Sequence, residues 1–249
     1  MRIIYPSLPY EPRTVDPLWQ PEYEWACANG MNGELYDLET NKLFPRHNSS
    51  TKALYRGWML SATEYSFLAQ LTPLLVTPEH YLASHHATGW YGAIREFTFP
   101  SFFQAAAQVP DFGVGHRYFV KGLVKSFGAD SVVASVEQWG ELCAKHELTD
   151  DEVLFVRQFT ELEPDYEQRF FVVAGAAYGA CGIKLPQELL SVLSCLAARP
   201  FYSLDVARTI AGASIVVEVG DGQVSDLKEW PLPDFGNVVL RALAATTLP

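Results

Sequence analysis

The sequence predicts an α+β protein in which a smaller N-terminal α/β lobe precedes a larger mixed lobe. The chain has 249 residues, of which 49% are hydrophobic, and this is enough apolar material for a sizeable buried core. The first hundred residues are polar and proline-rich at the start, whereas longer strand patterns alternate with helical ones after Pro100. A strand pair at residues 201–219 follows near the end of the chain. We therefore predict two units, residues 1–100 and residues 101–249.

The first unit is predicted to contain short strands and two helices. Ser61 and Glu64 form a capping-box pattern at the start of the first helix, and Pro73 ends or kinks that helix. A second helix is expected at residues 78–94. The strands are expected at residues 2–5, 34–38 and 53–60.

The second unit is predicted to alternate strands with helices. Strands are expected at residues 117–125, 153–159 and 168–177, and helices at residues 135–146, 186–198 and 234–245. Pro186 suits the first turn of its helix, because the missing amide hydrogen is not needed there. The hairpin at residues 201–219 then closes the sheet.

Charge and cysteine content exclude several classes of protein. The formal net charge is −11 and the isoelectric point is about 5.0, so we expect neither nucleic acid nor an anionic membrane as a partner. The N-terminal residues lack the apolar core of a signal peptide. Four scattered cysteines form no Cys-x-x-Cys pair, which argues against a zinc cluster and a disulfide framework. We therefore expect a cytoplasmic protein with reduced cysteines.

The terminal hairpin carries acidic residues at a spacing that suits a metal ion. If Ala211 and Gly212 form a two-residue turn, Asp205 lies directly across from Glu218 on the same face, and Asp221 follows in the next turn. Two carboxylates placed that way repel unless a cation lies between them, and oxygen ligands alone favour magnesium. A solvated hairpin end is the alternative, and these residues leave both interpretations open.

Two lysines are predicted on one face of the strand at residues 117–125. Strand alternation turns Lys121 and Lys125 the same way, roughly 13 Å apart if the strand stays extended. That span is comparable to the polyphosphate and ribose of a nucleotide. Both lysines could equally extend into solvent from an ordinary strand.

The next strand ends in polar residues that could border a planar ring. Arg157 and Gln158 interrupt an apolar run, and the acidic residues Glu161 and Glu163 follow it. Backbone groups at such a strand end can meet a ring, and the carboxylates can accept hydrogen bonds from ribose hydroxyls. Arg169 shares a face of the following strand with Glu167, for which cross-strand ion pairing is an equally good explanation.

Two further groups of residues are expected to be structural. Aromatic residues such as Trp58 and Trp90 are expected to pack in the core or between lobes. His80, His85 and His86 are expected on the surface of the second helix, because their spacing does not suit a metal ion.

The order of these features resembles the ATP-grasp fold, in which two α+β subdomains sandwich ATP. Over roughly residues 53 to 240 the chain is similar to the ATP-grasp clade named for an arginine-to-lysine exchange. The segments that carry the resemblance are Tyr55-Arg56-Gly57-Trp58-Met59-Leu60, Phe119-Val120-Lys121, Val124-Lys125-Ser126, Arg157-Gln158-Phe159, Tyr166-Glu167-Gln168-Arg169-Phe170, Asp205-Val206-Ala207 and Val217-Glu218-Val219-Gly220-Asp221-Gly222-Gln223-Val224-Ser225.

The resemblance implies a role for each candidate residue. Lys121 and Lys125 would contact ATP phosphates, and Arg169 would face the phosphates or the acyl group, so that Lys125 and Arg169 are the implied catalytic residues. Residues that would surround the rest of ATP and its metal are Arg157, Gln158 and Phe159 at adenine, Glu161 or Glu163 at ribose, and Asp205 and Glu218 at magnesium. Many ATP-grasp enzymes carry Glu-x-Asn where this chain has Gly220 in the Asn position. Asp221 could supply the missing oxygen.

The resemblance also implies an activity. An ATP- and Mg²⁺-dependent ligase would activate a carboxylate as an acyl phosphate, which an amine then attacks to form an amide-like bond. The partners would be ATP and carboxylate and amine substrates that the sequence does not identify. The alternative of another class is an ATP-binding regulatory or interaction protein that has the fold without turnover.

Overall fold

The computed structural model describes residues 1–46 and 50–246. These residues form three sheets and three buried cores, and strands β10 (Leu162–Val173) and β12 (Phe201–Thr209) contribute to both the first and the second core. The first sheet has the order β2-β1-β3-β4, with β5 also paired to β1, and its inner strands β1, β3 and β5 are parallel. Its strands are β1 (Arg2–Leu8), β2 (Glu11–Val15), β3 (Asn32–Asp37), β4 (Lys42–Phe44) and β5 (Ala53–Tyr55).

The other two sheets are antiparallel and come from residues 101–221. One has the order β6-β9-β7-β8, and the other has the order β11-β10-β12-β13. Their strands are β6 (Ser101–Ala105), β7 (Tyr118–Lys121), β8 (Val132–Val133), β9 (Val153–Gln158), β10 (Leu162–Val173), β11 (Ala176–Gly179), β12 (Phe201–Thr209) and β13 (Ser214–Asp221). The mixture of helices and sheets confirms the predicted α+β class.

Helices pack against these sheets. They are α1 (Gln20–Ala28), α2 (Ala62–Leu71), α3 (Pro78–His85), α4 (Ala87–Ile94), α5 (Val136–Lys145), α6 (Leu190–Cys195), α7 (Leu232–Phe235) and α8 (Arg241–Thr246), with a π-helical turn, Gly236–Leu240, between the last two. Phe235 and Leu243 of the C-terminal helices share the first core with Tyr5. Within the described residues, no helix is long and apolar enough to cross a bilayer.

The packing does not follow the predicted boundary at residue 100 in every element. Helix α4 precedes that boundary, yet its Trp90 and Ile94 are buried in the second core with Leu204 of β12. The C-terminal helices return to the first sheet. The division into residues 1–100 and 101–249 therefore stays a prediction.

The start of α2 confirms the capping box. Ser61 Oγ accepts a hydrogen bond from the Glu64 amide, and the Glu64 carboxylate accepts one from the Ser61 amide. The predicted helix at residues 78–94 is broken into α3 and α4 at His86, whose backbone is extended. Gly89 lies so close to α3 that a Cβ there would be 2.5 Å from the Ala83 carbonyl oxygen, so this packing of α4 on α3 requires glycine.

The predicted strand at residues 117–125 ends at Lys121, so the placement of Lys121 and Lys125 on one extended strand is wrong. Residues 122–125 form a turn in which the Gly122 amide donates to the Lys125 carbonyl oxygen at 2.9 Å, and Lys121 pairs with Ser126. The Leu123 carbonyl oxygen accepts from the Ala87 amide at the start of α4. A tertiary contact therefore anchors the turn.

Other predicted elements also differ from the structure, among them the strand at residues 53–60, which ends at Tyr55. The strand predicted at residues 168–177 begins at Leu162 and reverses at Ala174 and Gly175, both with positive φ, as in a type I′ hairpin turn. The helix predicted at residues 186–198 contains a 3₁₀ turn, Gln187–Leu189, followed by the short α6.

Candidate active site

Asp205 and Glu218 are directly paired across β12 and β13, as predicted, but the route to that register differs from the prediction. Arg208 pairs with Ser214, so the connection is centred on a single residue and is not the predicted two-residue turn. If the register set by the observed connection continued unbroken, Asp205 would pair with Val217, and Glu218 would face away from it. A β-bulge between Asp205 and Val206 shifts the register by one residue and restores the pair.

The bulge has a tertiary cause. The Val216 amide donates to the Phe97 carbonyl oxygen at 2.9 Å, and Thr98 Oγ1 donates to the Val216 carbonyl oxygen at 2.7 Å. The backbone of Val216 therefore bonds outside the β12–β13 ladder. The following residues, Val217 and Glu218, line two neighbouring cavities.

Each of the two carboxylates already has a cationic partner. Asp205 accepts from Arg169 Nε at 2.8 Å and Nη2 at 2.7 Å, and from Lys228 Nζ at 2.9 Å. Glu218 Oε1 accepts from Lys121 Nζ at 2.5 Å. The expectation that these carboxylates repel one another without a metal ion is therefore wrong, because protein cations compensate both charges.

The electrostatics of these pairs follow from burial and charge. Burial alone would raise the pKa of Asp205, but the hydrogen bonds and charges of Arg169 and Lys228 outweigh it and hold that pKa below its usual range. Burial lowers the pKa of Lys121, and the neighbouring Glu218 carboxylate opposes this effect. The site thus keeps Asp205 ionised at neutral pH.

A charged cavity of about 520 Å³ contains the metal and phosphate candidates. It brings together the predicted residues Lys125, Arg169, Asp205, Glu218 and Asp221. Lys125 lines this cavity although it lies on a turn and not on strand β7. Lys121 reaches the same place through its bond to Glu218.

Asp221 is placed differently from the other two carboxylates. Strand alternation turns it to the opposite face from Glu218, and its side chain is fully buried. Its Oδ1 accepts from the Gln223 amide at 2.9 Å, whereas Oδ2 has no hydrogen-bond partner. Burial raises the pKa of Asp221 to about 7. In the described part of the chain, no three His, Cys, Asp or Glu side chains are positioned to bind a metal ion by themselves.

An apolar cavity of about 310 Å³ lies beside the charged one, between the sheet of β7 to β9 and strand β13. It is lined by Phe99, Phe119, Val132, Arg157, Gln158, Phe159, Thr160, Leu162 and Val217. The predicted segment of Arg157, Gln158 and Phe159 therefore forms one wall of a site of suitable size and polarity for a flat ring.

Arg157 is an unusual part of that wall. Its guanidinium is buried among aromatic rings, 4.9 Å from the ring centroid of Phe155 and 5.7 Å from that of Phe99. Its Nε and Nη2 atoms are buried without a hydrogen-bond partner. Burial lowers the pKa of Arg157 to about 10. A ligand with hydrogen-bond acceptors would satisfy these atoms.

The two predicted ribose ligands flank the apolar cavity but do not line it. Glu161 pairs with Arg117 at 3.3 Å, and Glu163 pairs with Arg208 at 3.6 Å. Thr160 and Leu162 face the cavity in their place, because alternate residues of an extended segment point to opposite sides.

The structure adds residues that sequence reasoning missed or misplaced. Lys228 binds Asp205 and Glu167, and Asp226 binds Arg169, but both belong to a loop with no recognisable pattern. His85, expected on the surface, is buried and lines the charged cavity. Trp58, expected in the core or between lobes, is 46% exposed and lines the same cavity. For Trp58, the sequence did contain a signal of a functional role, because residues 55–60 are one of the segments that carry the family resemblance.

Comparisons with known proteins identify the family of this chain. Residues 73–243, more than half of the chain, match the family described as ATP-grasp domain, R2K clade family 3. No curated protein sequence matches the chain significantly.

Solved structures share the fold. A D-cycloserine synthetase superimposes with a TM-score of 0.67 at 12% identity and full coverage of both chains. A RimK domain ATP-grasp protein from Sphaerobacter thermophilus gives a TM-score of 0.65 at 15% identity, again with full coverage of both chains. The D-alanine–D-alanine ligase from Bacillus anthracis, complexed with ATP, gives 0.63 at 12% identity over 99% of this chain and 96% of that one. The family match and the shared fold lead to one conclusion: this chain belongs to the R2K clade of ATP-grasp domain proteins.

Proposed function

We propose that the protein is an ATP- and Mg²⁺-dependent ligase that joins a carboxylate to an amine through an acyl phosphate. The observation that carries this proposal is the adjacency of the two cavities. Val217 lines the apolar one and Glu218 lines the charged one, so a ligand with a flat ring at one end and a polyphosphate at the other would fill both.

In this proposal, the adenine ring of ATP lies in the apolar cavity along Arg157, Gln158 and Phe159. The triphosphate extends past Val217 into the charged cavity, where Lys121, Lys125 and Arg169 offer positive charge. Phosphate oxygens accept hydrogen bonds from lysine and arginine strongly, because both partners are charged. Glu161 or Glu163 would meet the ribose only after leaving its present arginine partner.

The residues of the charged cavity fit magnesium that is held together with nucleotide. Mg²⁺ is usually bound by one or two carboxylates plus substrate phosphates and water, and Asp205 and Glu218 supply two carboxylates on one face. We assign Asp221 no ligand role, although it lines the cavity, because its side chain is fully buried and its Oδ1 is held by Gln223. When bound, the ion neutralises charge on the transferring phosphoryl group.

The chemistry requires no nucleophilic side chain. A carboxylate oxygen of the substrate attacks the γ-phosphorus of ATP, the bond from that phosphorus to the β-phosphate oxygen breaks, and ADP leaves. The amine then attacks the carbonyl carbon of the acyl phosphate and inorganic phosphate leaves. Arg169 and Lys125 would stabilise the negative charge that accumulates on the phosphoryl oxygens. A cytoplasmic location belongs to the same proposal, because all four cysteines are unpaired.

The proposal is tested in two steps. ATP with Mg²⁺ should raise the melting temperature, because a ligand that binds only the folded state stabilises it, and GTP should raise it less. Protein is then incubated with ATP, Mg²⁺ and pools of carboxylates and amines, and mass spectrometry is used to find condensation products formed with ADP. Binding without turnover would support the regulatory alternative, and no shift with any nucleotide would refute both.

A further inference from the structure

The segment from Tyr55 to Leu60 has no part in the chemistry proposed above, yet it forms a wall of the charged cavity. Four of its residues are buried, but Trp58 is 46% exposed and Met59 is 39% exposed. Both exposed side chains line the cavity that holds Asp205 and Arg169. Apolar side chains that remain exposed inside a concave site are typical of ligand recognition.

Buried hydrogen bonds hold this segment in place. The Arg56 guanidinium donates to Glu22 at 2.9 and 2.8 Å, and to the carbonyl oxygens of Gly222 at 2.7 Å and Ser225 at 3.1 Å. The Tyr55 hydroxyl donates to the Trp58 carbonyl oxygen at 2.8 Å. The segment is therefore fixed both to helix α1, which contains Glu22, and to the loop that follows β13.

The Trp58 ring is fixed as well. Its Nε1 donates to Asp16 Oδ2 at 3.0 Å, and its ring meets that of Trp19 edge-on at a centroid distance of 5.8 Å. The Arg56 guanidinium lies 5.1 Å from the Trp19 ring centroid. A ring that is already ordered loses little conformational entropy when a ligand packs on it.

Lys125 also lines the charged cavity. Lys125 makes no ion pair or side-chain hydrogen bond with any described residue, and it lines both the charged cavity and a neighbouring one of about 810 Å³. Met59, His85 and Val124 also line both cavities. Lys125 thus lies where the phosphate site meets a groove with apolar walls.

We propose that Trp58 and Met59 bind the apolar part of the acyl donor, a carboxylic acid that carries an aromatic or aliphatic group, while Lys125 binds its carboxylate. This inference rests on the proposed function, because the ligand is an acyl donor only if its carboxylate attacks the γ-phosphate of ATP. The cavity also contains carboxylates, but Asp205 and Glu218 are already paired with protein cations. Among the described residues, Lys125 is the cavity cation without such a partner, so it attracts an acid and repels a substrate ammonium. Lysine has three donor hydrogens, so Lys125 can serve a phosphate and a carboxylate together.

Binding is measured by isothermal titration with acetate, butanoate, hexanoate and 3-phenylpropanoate, with and without Mg²⁺ and the non-hydrolysable analogue AMPPNP. Each CH₂ group that is buried should tighten binding by up to about fourfold. Trp58→Ala should weaken binding of 3-phenylpropanoate about tenfold and binding of acetate less than twofold. Trp58→Phe should keep most of the affinity, and Lys125→Met should weaken every acid by a similar factor.

Phe67→Ala is the matched control, because Phe67 is an aromatic residue of α2 that is 45% exposed and lines neither cavity. It should leave all affinities unchanged. The proposed acyl-donor site is overturned if affinity does not rise along the acid series. It is also overturned if affinity rises equally in the parent protein and in Trp58→Ala, even when AMPPNP binds. If AMPPNP fails to bind while the dependence on Trp58 persists, the site stands and the ligase proposal falls.

Discussion

Asp205 should stabilise the protein in the absence of metal, and Asp205→Asn tests this. The substitution weakens two hydrogen bonds from Arg169 and one from Lys228, each of which is charge-assisted. Such bonds contribute roughly 1.5–3 kcal/mol each, but asparagine keeps one acceptor oxygen and Arg169 keeps its bond to Asp226. We therefore expect the free energy of unfolding to fall by about 3 kcal/mol, near the lower end for a broken buried ion pair.

The assay is urea unfolding at pH 7 in EDTA, followed by intrinsic fluorescence. Asp226→Asn is the matched control, because Asp226 also pairs with Arg169 but its side chain is 77% exposed. An exposed pair contributes less than about 1 kcal/mol. If Asp205→Asn is as stable as the parent protein, or more stable, the carboxylates do repel and the compensation by Arg169 and Lys228 is illusory. An equal loss in both variants would contradict the role of burial.

Three further outcomes are expected. Lys121→Met should weaken ATP binding by about 1–3 kcal/mol in calorimetry, because a buried charge beside Glu218 is lost; unchanged affinity would place the phosphates elsewhere. Burial raises the pKa of Asp221 to about 7, so the folded state holds a proton that the unfolded state releases, and stability falls as pH rises from about 4 to 7. Unfolding at pH 5 and pH 8 should therefore show a smaller loss on raising the pH in Asp221→Asn than in the parent protein, and equal losses would contradict the assignment. Arg56→Met should cost about 3–5 kcal/mol in urea unfolding by leaving Glu22 unpaired; adding Glu22→Gln should recover part of this, and strict additivity would argue against the pair.

The sequence determined the local features whose causes are local. The bond pattern of Ser61 and Glu64 needs only residues three apart, so the start of α2 was predictable. The apolar runs likewise identified most strands. The order of the lysine-bearing strand, the polar strand end and the acidic hairpin was enough to predict the ATP-grasp fold, which the family match confirms.

The tertiary structure decided what depends on contacts between distant segments. The register of Asp205 with Glu218 required a bulge that Phe97 and Thr98 cause, more than a hundred residues away. The turn at Lys125 is anchored by α4.

The cations that compensate the two carboxylates also come from outside the hairpin. Lys121 reaches Glu218 from β7, and Lys228 reaches Asp205 from a loop without a sequence pattern. Sequence periodicity describes which face of an element a residue occupies, but not which distant side chain it will meet. The residue types and their faces were therefore in the sequence, whereas the pairing of charges was decided only by the folded chain.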